Sequence, residues 1–413
     1  MTDQRKYSPY DDDYVWPKTL YDEMRDMASI AFMIYNFGYI INCARENKET
    51  FKGIDTSFTD SKRKSITKSN VDDNNLGRSF TPSEVKKLVE NNINLLQVGV
   101  GKKDFTGKAL DGFYSALDKQ DARARESGLE RPLTLEEFDD LQQATECVYG
   151  ISKDDINKRI TVVFRGTNDL GKKDLETDVS IFQKEVPIPE VLREAVKGKE
   201  LQWHTGFYDY LFNKTADESD DDSKTKYDQI LEDLKSILAK YPGYKVYVKG
   251  HSLGAALSNI TAFYFALEPD LPKPISNINF ASPRVGGKDV FQAVHFLECS
   301  KKLRMIRVVN ENDLITAMPA TFYYHFGFQV DLYKKHWYNR KVPKPDFTYF
   351  NPNDSKWEKF KKSRTNSVLS KINLGYDHGS YISRIQKAEP YLQNTSLNDL
   401  YIEANIFEDN AAA

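Results

Sequence analysis

Apolar positions along the chain follow two rhythms, one of about 3.6 residues and one of short continuous runs. Between residues 16 and 42, Leu20, Met24, Met27, Ala31, Ile34 and Tyr35 recur every three or four residues, with Pro17 near the start. This spacing predicts one amphipathic helix over 16–42, with a stripe that needs a core to cover. Farther along, residues 145–151, 159–165, 245–249, 277–281 and 302–310 form short β-rich runs, and helical patterns occupy 227–241 and 253–267. Strands alternating with helices predict an α/β fold, built on a mostly parallel central sheet with helices on both faces. One domain over 1–413 is expected, its core at about 145–390 and the 16–42 helix packed on it. Residues 49–82 are rich in Ser, Thr, Lys, Asp and Asn without a period and read as a flexible insertion. The acidic run 217–222 reads as a solvated loop ahead of a helix.

Composition narrows the function classes without choosing one. Hydrophobic residues make up 40% and charged residues 29%, enough for an ordinary core under a solvated surface. The 58 Lys and Arg against 61 Asp and Glu leave a net charge of −3, which argues against the basic footprint of a nucleic-acid binder. Cys43, Cys147 and Cys299 stand far apart with no CxxC pair, so neither a disulfide framework nor a zinc site is written here. No cofactor or metal is called for. The apolar stretch 27–41 is interrupted by Asn36 and Gly38 and falls short of the roughly 20 residues a membrane span needs. With no secretion signal visible at the N-terminus, the expectation is an intracellular protein without a transmembrane segment.

Chemistry is concentrated after the run 245–249, where Gly250-His251-Ser252-Leu253-Gly254 leads directly into a helical pattern. This is G-x-S-x-G in the strand-to-helix setting of a nucleophile elbow, a turn so tight that a side chain at position 250 or 254 would crowd its neighbours. Ser252 is therefore the candidate nucleophile, and a serine needs a base and a group that orients the base. Of six histidines, His251 adjoins the serine, His204 precedes it, His295 lies in a predicted helix, and His325 and His336 sit in an aromatic stretch. The order Ser, acid, His of elbow hydrolases favours His378, in Asp377-His378-Gly379-Ser380-Tyr381, with His325 second. The acid should follow a strand between them. Asp313, after the run 302–310, is the candidate, with Glu311 its competitor. Oxyanion donors are expected from the Leu253 amide and from Thr167 in Arg165-Gly166-Thr167, a tripeptide that read alone is equally a structural turn.

Five blocks then occur in one order: Val163-Phe164-Arg165-Gly166-Thr167, His204-Thr205-Gly206-Phe207, Gly250-His251-Ser252-Leu253-Gly254-Ala255-Ala256-Leu257, Ala281-Ser282-Pro283-Arg284-Val285-Gly286 and Asn312-Asp313. In these the chain resembles the class 3 lipases, the fungal-type triacylglycerol lipase family. The resemblance implies an α/β-hydrolase fold with a lid segment after the oxyanion strand, and hydrolysis of carboxylic esters of acylglycerols. It implies Ser252 as nucleophile, Asp313 as triad acid, His378 as base, and Thr167 with Leu253 at the oxyanion hole. His325 then looks like a structural histidine, and His204 reads as packing. The implied partner is an acyl ester lipid, with peripheral contact to a lipid surface. Phospholipase A1, galactolipase and short-chain esterase activity remain open, and a non-catalytic lipid-sensing scaffold is the alternative from another class. The lid is expected at 168–182, where Leu175, Val179 and Phe182 give a helix only a narrow apolar face. The insertion at 49–82 and the segment 333–362 match no family block.

Overall fold

In a computed structural model of the protein, the residues described are 19–28, 30, 34, 81, 83, 86–87, 108–129, 132–139, 147–166, 182–213, 224–319, 321–333, 344–353 and 380–407. The 49–82 insertion apart from Thr81, the 217–222 run, the lid segment before Phe182, and Cys43, Thr167, His336 and His378 lie outside them. Eight strands form the main sheet in the order β1 (Leu133–Asp139), β2 (Tyr149–Asp154), β3 (Arg159–Phe164), β6 (Lys245–Gly250), β7 (Ile275–Phe280), β8 (Leu303–Asn310), β9 (Gly327–Leu332) and β10 (Asp346–Phe350). Pairing is parallel from β3 through β9, and antiparallel at both margins. A separate hairpin of β4 (Gln183–Pro187) and β5 (Glu200–His204) stands between β3 and β6 in sequence. This is the predicted α/β-hydrolase layout, with a mostly parallel sheet between helices.

The parallel strands are legible in sequence because both of their faces are covered. All residues of β3, β6, β7 and β8 are buried, so apolar residues fall on both faces of these strands, with polar ones such as Lys249, Asn277, Asn279 and Arg304 enclosed among them. Successive side chains still point to opposite faces, which separates two cores. Val246 and Val248 of β6 join the cluster that includes Trp203, Leu234, Leu257 and Phe263. That face is covered by α3 (Thr205–Phe212), α4 (Lys226–Lys240), α5 (Leu253–Leu267) and α6 (Lys288–Cys299). Between them, Tyr247 points to the other cluster, with Leu20, Met24, Met27, Ile306, Tyr381 and Tyr401. The N-terminal helix, with α7 (Tyr381–Leu392) and α8 (Leu397–Glu403), covers that face. The segment 333–362, which matches no family block, supplies the edge strand β10. Its three consecutive half-buried residues show no alternation that would announce a strand.

The predicted N-terminal stripe is buried at Leu20, Met24, Met27 and Ile34. Buried charge fixes where it lies. Asp26 accepts from Arg159 of β3 at 2.9 Å and from Arg123 of α2 (Lys108–Glu126) at 2.6 Å, and Arg159 also reaches Asp154 at 2.8 Å. Glu23 accepts from Tyr247 at 2.7 Å and pairs with Arg304 of β8. Lys249, fully buried on β6, donates to the Met27 carbonyl at 2.8 Å. Together these contacts tie the helix to β3, β6, β8 and α2, so sliding or rotating it would leave charges buried without partners.

Burial opposes ionisation of Asp26, but Arg159, Arg123 and Arg25 outweigh it and hold its carboxyl down at about 2. A depressed folded-state pKa stabilises the protein above the unfolded value and stops doing so as pH falls through the folded one. Asp26→Asn should cost about 3–5 kcal/mol at pH 7, with the gap from the parent narrowing as pH falls from about 4 towards 2. Denaturant titrations of both proteins at stepped pH measure this; a gap that is flat with pH would contradict it.

Candidate active site

The elbow forms where β6 ends and α5 begins. Ser252 sits between them at φ 57° and ψ −126°, a conformation that a non-glycine residue holds only when its surroundings insist on it. Several contacts do. Its amide donates to the Phe280 carbonyl at the end of β7 at 3.0 Å, and its carbonyl accepts from Ala255 at 2.9 Å to start α5. A Cβ on Gly254 would meet the Phe164 carbonyl and come within 2.8 Å of the Arg165 carbonyl carbon. One on Gly250 would meet the Gly254 backbone and come within 2.6 Å of the Ala255 nitrogen. The expected crowding at both glycines is therefore present as backbone against backbone, which cannot yield as a side chain can. Leu253 is the first residue of α5, so its amide is one of the helix N-terminal N–H groups left without an intrahelical acceptor. The end of β3 runs alongside, with Phe164 opposite Gly250 in parallel register, and Thr167 is three residues farther along the chain.

Asp313 follows β8, two strands from β6. Asn312 takes the left-handed backbone at φ 67°, which asparagine tolerates, and the turn leaves Asp313 only 1% exposed. One carboxylate oxygen accepts from the Ile315 amide at 3.2 Å, capping the short helical turn Leu314–Ala317. The other accepts from the Tyr381 hydroxyl at 2.6 Å. Burial and the adjacent carboxylate push the Tyr381 phenol well above its ordinary pKa, so it stays a donor. Glu311 is half-buried, and its amide is used on the Leu332 carbonyl. Of the two acids considered, Asp313 is the enclosed one.

The histidines separate as well. His204 is buried and stacked on Phe207 at 4.1 Å, consistent with packing. His295 shares a 2.7 Å hydrogen bond with Tyr349, far along the α6–β10 side. His251 lies edge-on to Tyr381 at 5.7 Å. Burial, followed by Arg307 and Arg284, holds the His325 imidazole well below its ordinary pKa and hence neutral. His325 packs on Phe350 at 5.5 Å.

Two contributors escape sequence reading. Tyr381 stands three residues after His378, but nothing local announces its bond to a carboxylate 68 positions away. Arg307 was visible as a charge inside the apolar run 302–310, which is a demand for buried partners, but the run does not name them.

The sheet order, the elbow and the buried carboxylate define an α/β-hydrolase core. Residues 161–323 match the family model for Lipase (class 3), the family whose ordered blocks the sequence resembles. Phospholipase A1-IIgamma of Arabidopsis thaliana is 32% identical over 151 residues, 33% of this chain and 35% of that protein. Triacylglycerol lipase OBL1 of the same plant is 28% identical over 205 residues, 45% of this chain and 40% of that protein. The chain thus spans less than half the length of these relatives. Among solved structures, the mono- and diacylglycerol lipase from Aspergillus oryzae aligns at a TM-score of 0.47 and 18% identity, over 66% of this chain and 86% of that one.

Gly254→Ala should destabilise the protein by about 1–3 kcal/mol, because the new methyl must displace the end of β3 or the start of α5. Thermal unfolding tests this; a midpoint unchanged from the parent would mean the turn has slack that its backbone contacts deny.

Proposed function

We propose that the protein is a serine hydrolase that cleaves carboxylic esters of acylglycerols through a Ser252–His378–Asp313 triad. The observation that carries this reading is the strained Ser252 at the head of α5, wedged between two glycines whose neighbours exclude a side chain. Its support includes Asp313, buried and held by Tyr381, and the position of His378 two residues before Ser380. The Ser380 hydroxyl accepts at 3.3 Å from Asn310, the last residue of β8 and three positions before the acid. Relatives named triacylglycerol lipase and phospholipase A1 point to lipid esters as the substrate class.

In this mechanism Ser252 Oγ attacks the ester carbonyl while His378 takes its proton. The Leu253 amide and Thr167 hold the resulting oxyanion. Collapse breaks the acyl–oxygen bond, and His378 returns the proton to the departing alcohol. Water then attacks the acyl-enzyme by the same route, releasing the fatty acid and restoring Ser252. Asp313 orients the imidazole and stabilises its protonated form, and Tyr381 fixes the carboxylate in turn.

Phospholipase A1 activity is the second reading, favoured by the matches to proteins of that name in Arabidopsis thaliana and Oryza sativa. The elbow chemistry does not depend on what lies beyond the acyl group. A panel of triacylglycerols, phospholipids, galactolipids and nitrophenyl esters, with the released acyl chain assigned to its glycerol position, separates the readings. Dominant sn-1 cleavage of phospholipid would replace the acylglycerol reading with the second.

Ser252→Ala should abolish hydrolysis and labelling by a fluorophosphonate probe while leaving the fold intact. His378→Ala should cost as much, since triad members act as a unit, and Asp313→Asn up to roughly 10⁴-fold in kcat. Probe labelling that persists in Ser252→Ala would assign the nucleophile elsewhere.

A further inference from the structure

Arg307 lies on β8, six residues before Asp313, and is buried. Its guanidinium reaches three separate elements. One terminal nitrogen donates to the Ser282 carbonyl beyond β7 at 3.1 Å and to the Thr316 carbonyl at 3.2 Å; the other donates to Gln329 of β9. Thr316 belongs to the turn capped by Asp313, and its hydroxyl donates back to the Asp313 carbonyl at 2.6 Å. Ser282 belongs to the elbow side. Its hydroxyl accepts from Asn259 of α5 at 2.9 Å, and Ser252 is bonded to Phe280 two residues earlier. Asn279 continues the network, donating to Asn259 at 2.6 Å.

We propose that Arg307 is a positioning residue for the reaction, a brace that sets the turn carrying Asp313 against the strand end and helix carrying Ser252. The inference rests on the triad reading above and deepens it. Guanidinium suits the task because a rigid fork can hold partners on three elements at once, which a lysine ammonium on a flexible stem does not. A buried cation is a poor route to stability alone, and here both backbone partners lie on the segments whose separation matters to proton transfer. Arg284 adds a second grip, donating to the carbonyl of Ala317, the last residue of the same turn, and to the Pro319 carbonyl just beyond it at 2.8 Å.

Arg307 also contributes charge. Burial opposes its protonated form most, Arg284 opposes it as well, and Asp331 of β9 and Asp313 favour it; Tyr381 of α7 faces it as a neutral phenol. His325 faces it as a neutral imidazole. Removing the cation would leave the Asp313 carboxylate less compensated, so a His378 imidazolium would be stabilised and its pKa would rise.

The test uses the full chain, with p-nitrophenyl butyrate below its solubility limit as the substrate. Arg307→Lys keeps the charge and loses the fork: kcat should fall roughly 10- to 100-fold with KM within about twofold, and the acidic limb of the kcat/KM profile should stay in place. Arg307→Met loses both: kcat should fall at least as far, and the limb should move up by roughly 0.5 pH unit. Both variants keeping kcat within about threefold of the parent would overturn the proposal, as would equal losses with no limb shift in Arg307→Met. If Arg307→Met does not fold, Arg307→Lys decides alone, since a kcat near the parent's contradicts the brace. Ser252→Ala in the same assay keeps the two claims apart, because hydrolysis surviving there removes the triad reading itself.

Discussion

Helix α5 starts so close to the ends of β3 and β6 that neither Gly250 nor Gly254 has room for a Cβ. This close approach governs the site. It forces Ser252 into the left-handed backbone, presents the Leu253 amide at the helix N-terminus, and brings the end of β3 alongside the elbow. The strain at Ser252 is borne by the two cores that clamp the sheet from both sides, through residues such as Val248 on one face and Tyr247 on the other. A looser sheet would relax the turn and withdraw the serine.

Buried polar groups then determine how the remaining pieces are placed. The N-terminal helix is held by Asp26 and Glu23 against arginines of β3 and β8, so its position on the sheet has few alternatives. Around Asp313 a second network joins α5, β7, β8, β9 and α7 through Asn259, Ser282, Arg307, Gln329 and Tyr381. Apolar packing fills space but tolerates small shifts. Hydrogen-bonded ions inside a low-dielectric interior do not, because a lost partner leaves a desolvated charge. The separation between the elbow and the turn that carries Asp313 is a quantity that such a network holds closely.

Much of this was present in the linear order of residues. The central strands are short runs rich in apolar residues on both faces, because both faces are covered. The elbow is a local device, in which five consecutive residues and their flanks specify a turn of one geometry. The N-terminal stripe is a matter of period alone. Edge strands were harder to see: β1, with Glu136, Glu137 and Asp139, and β10, mostly half-buried, lack the run of apolar residues that marks a covered strand.

By itself, then, the sequence determined the strand–elbow–helix unit, the alternation of strands and helices, and the ordered blocks that match the Lipase (class 3) family model, because each depends on residues near one another in the chain. Tertiary structure alone decided that Asp313 rather than Glu311 is enclosed, that Tyr381 donates to it, and that Arg307 joins its turn to the elbow side. Those relations link residues 9 to 68 positions apart that follow no common period. They exist only once the sheet has brought the carboxyl ends of its parallel strands together and closed off the water that would otherwise satisfy the same groups.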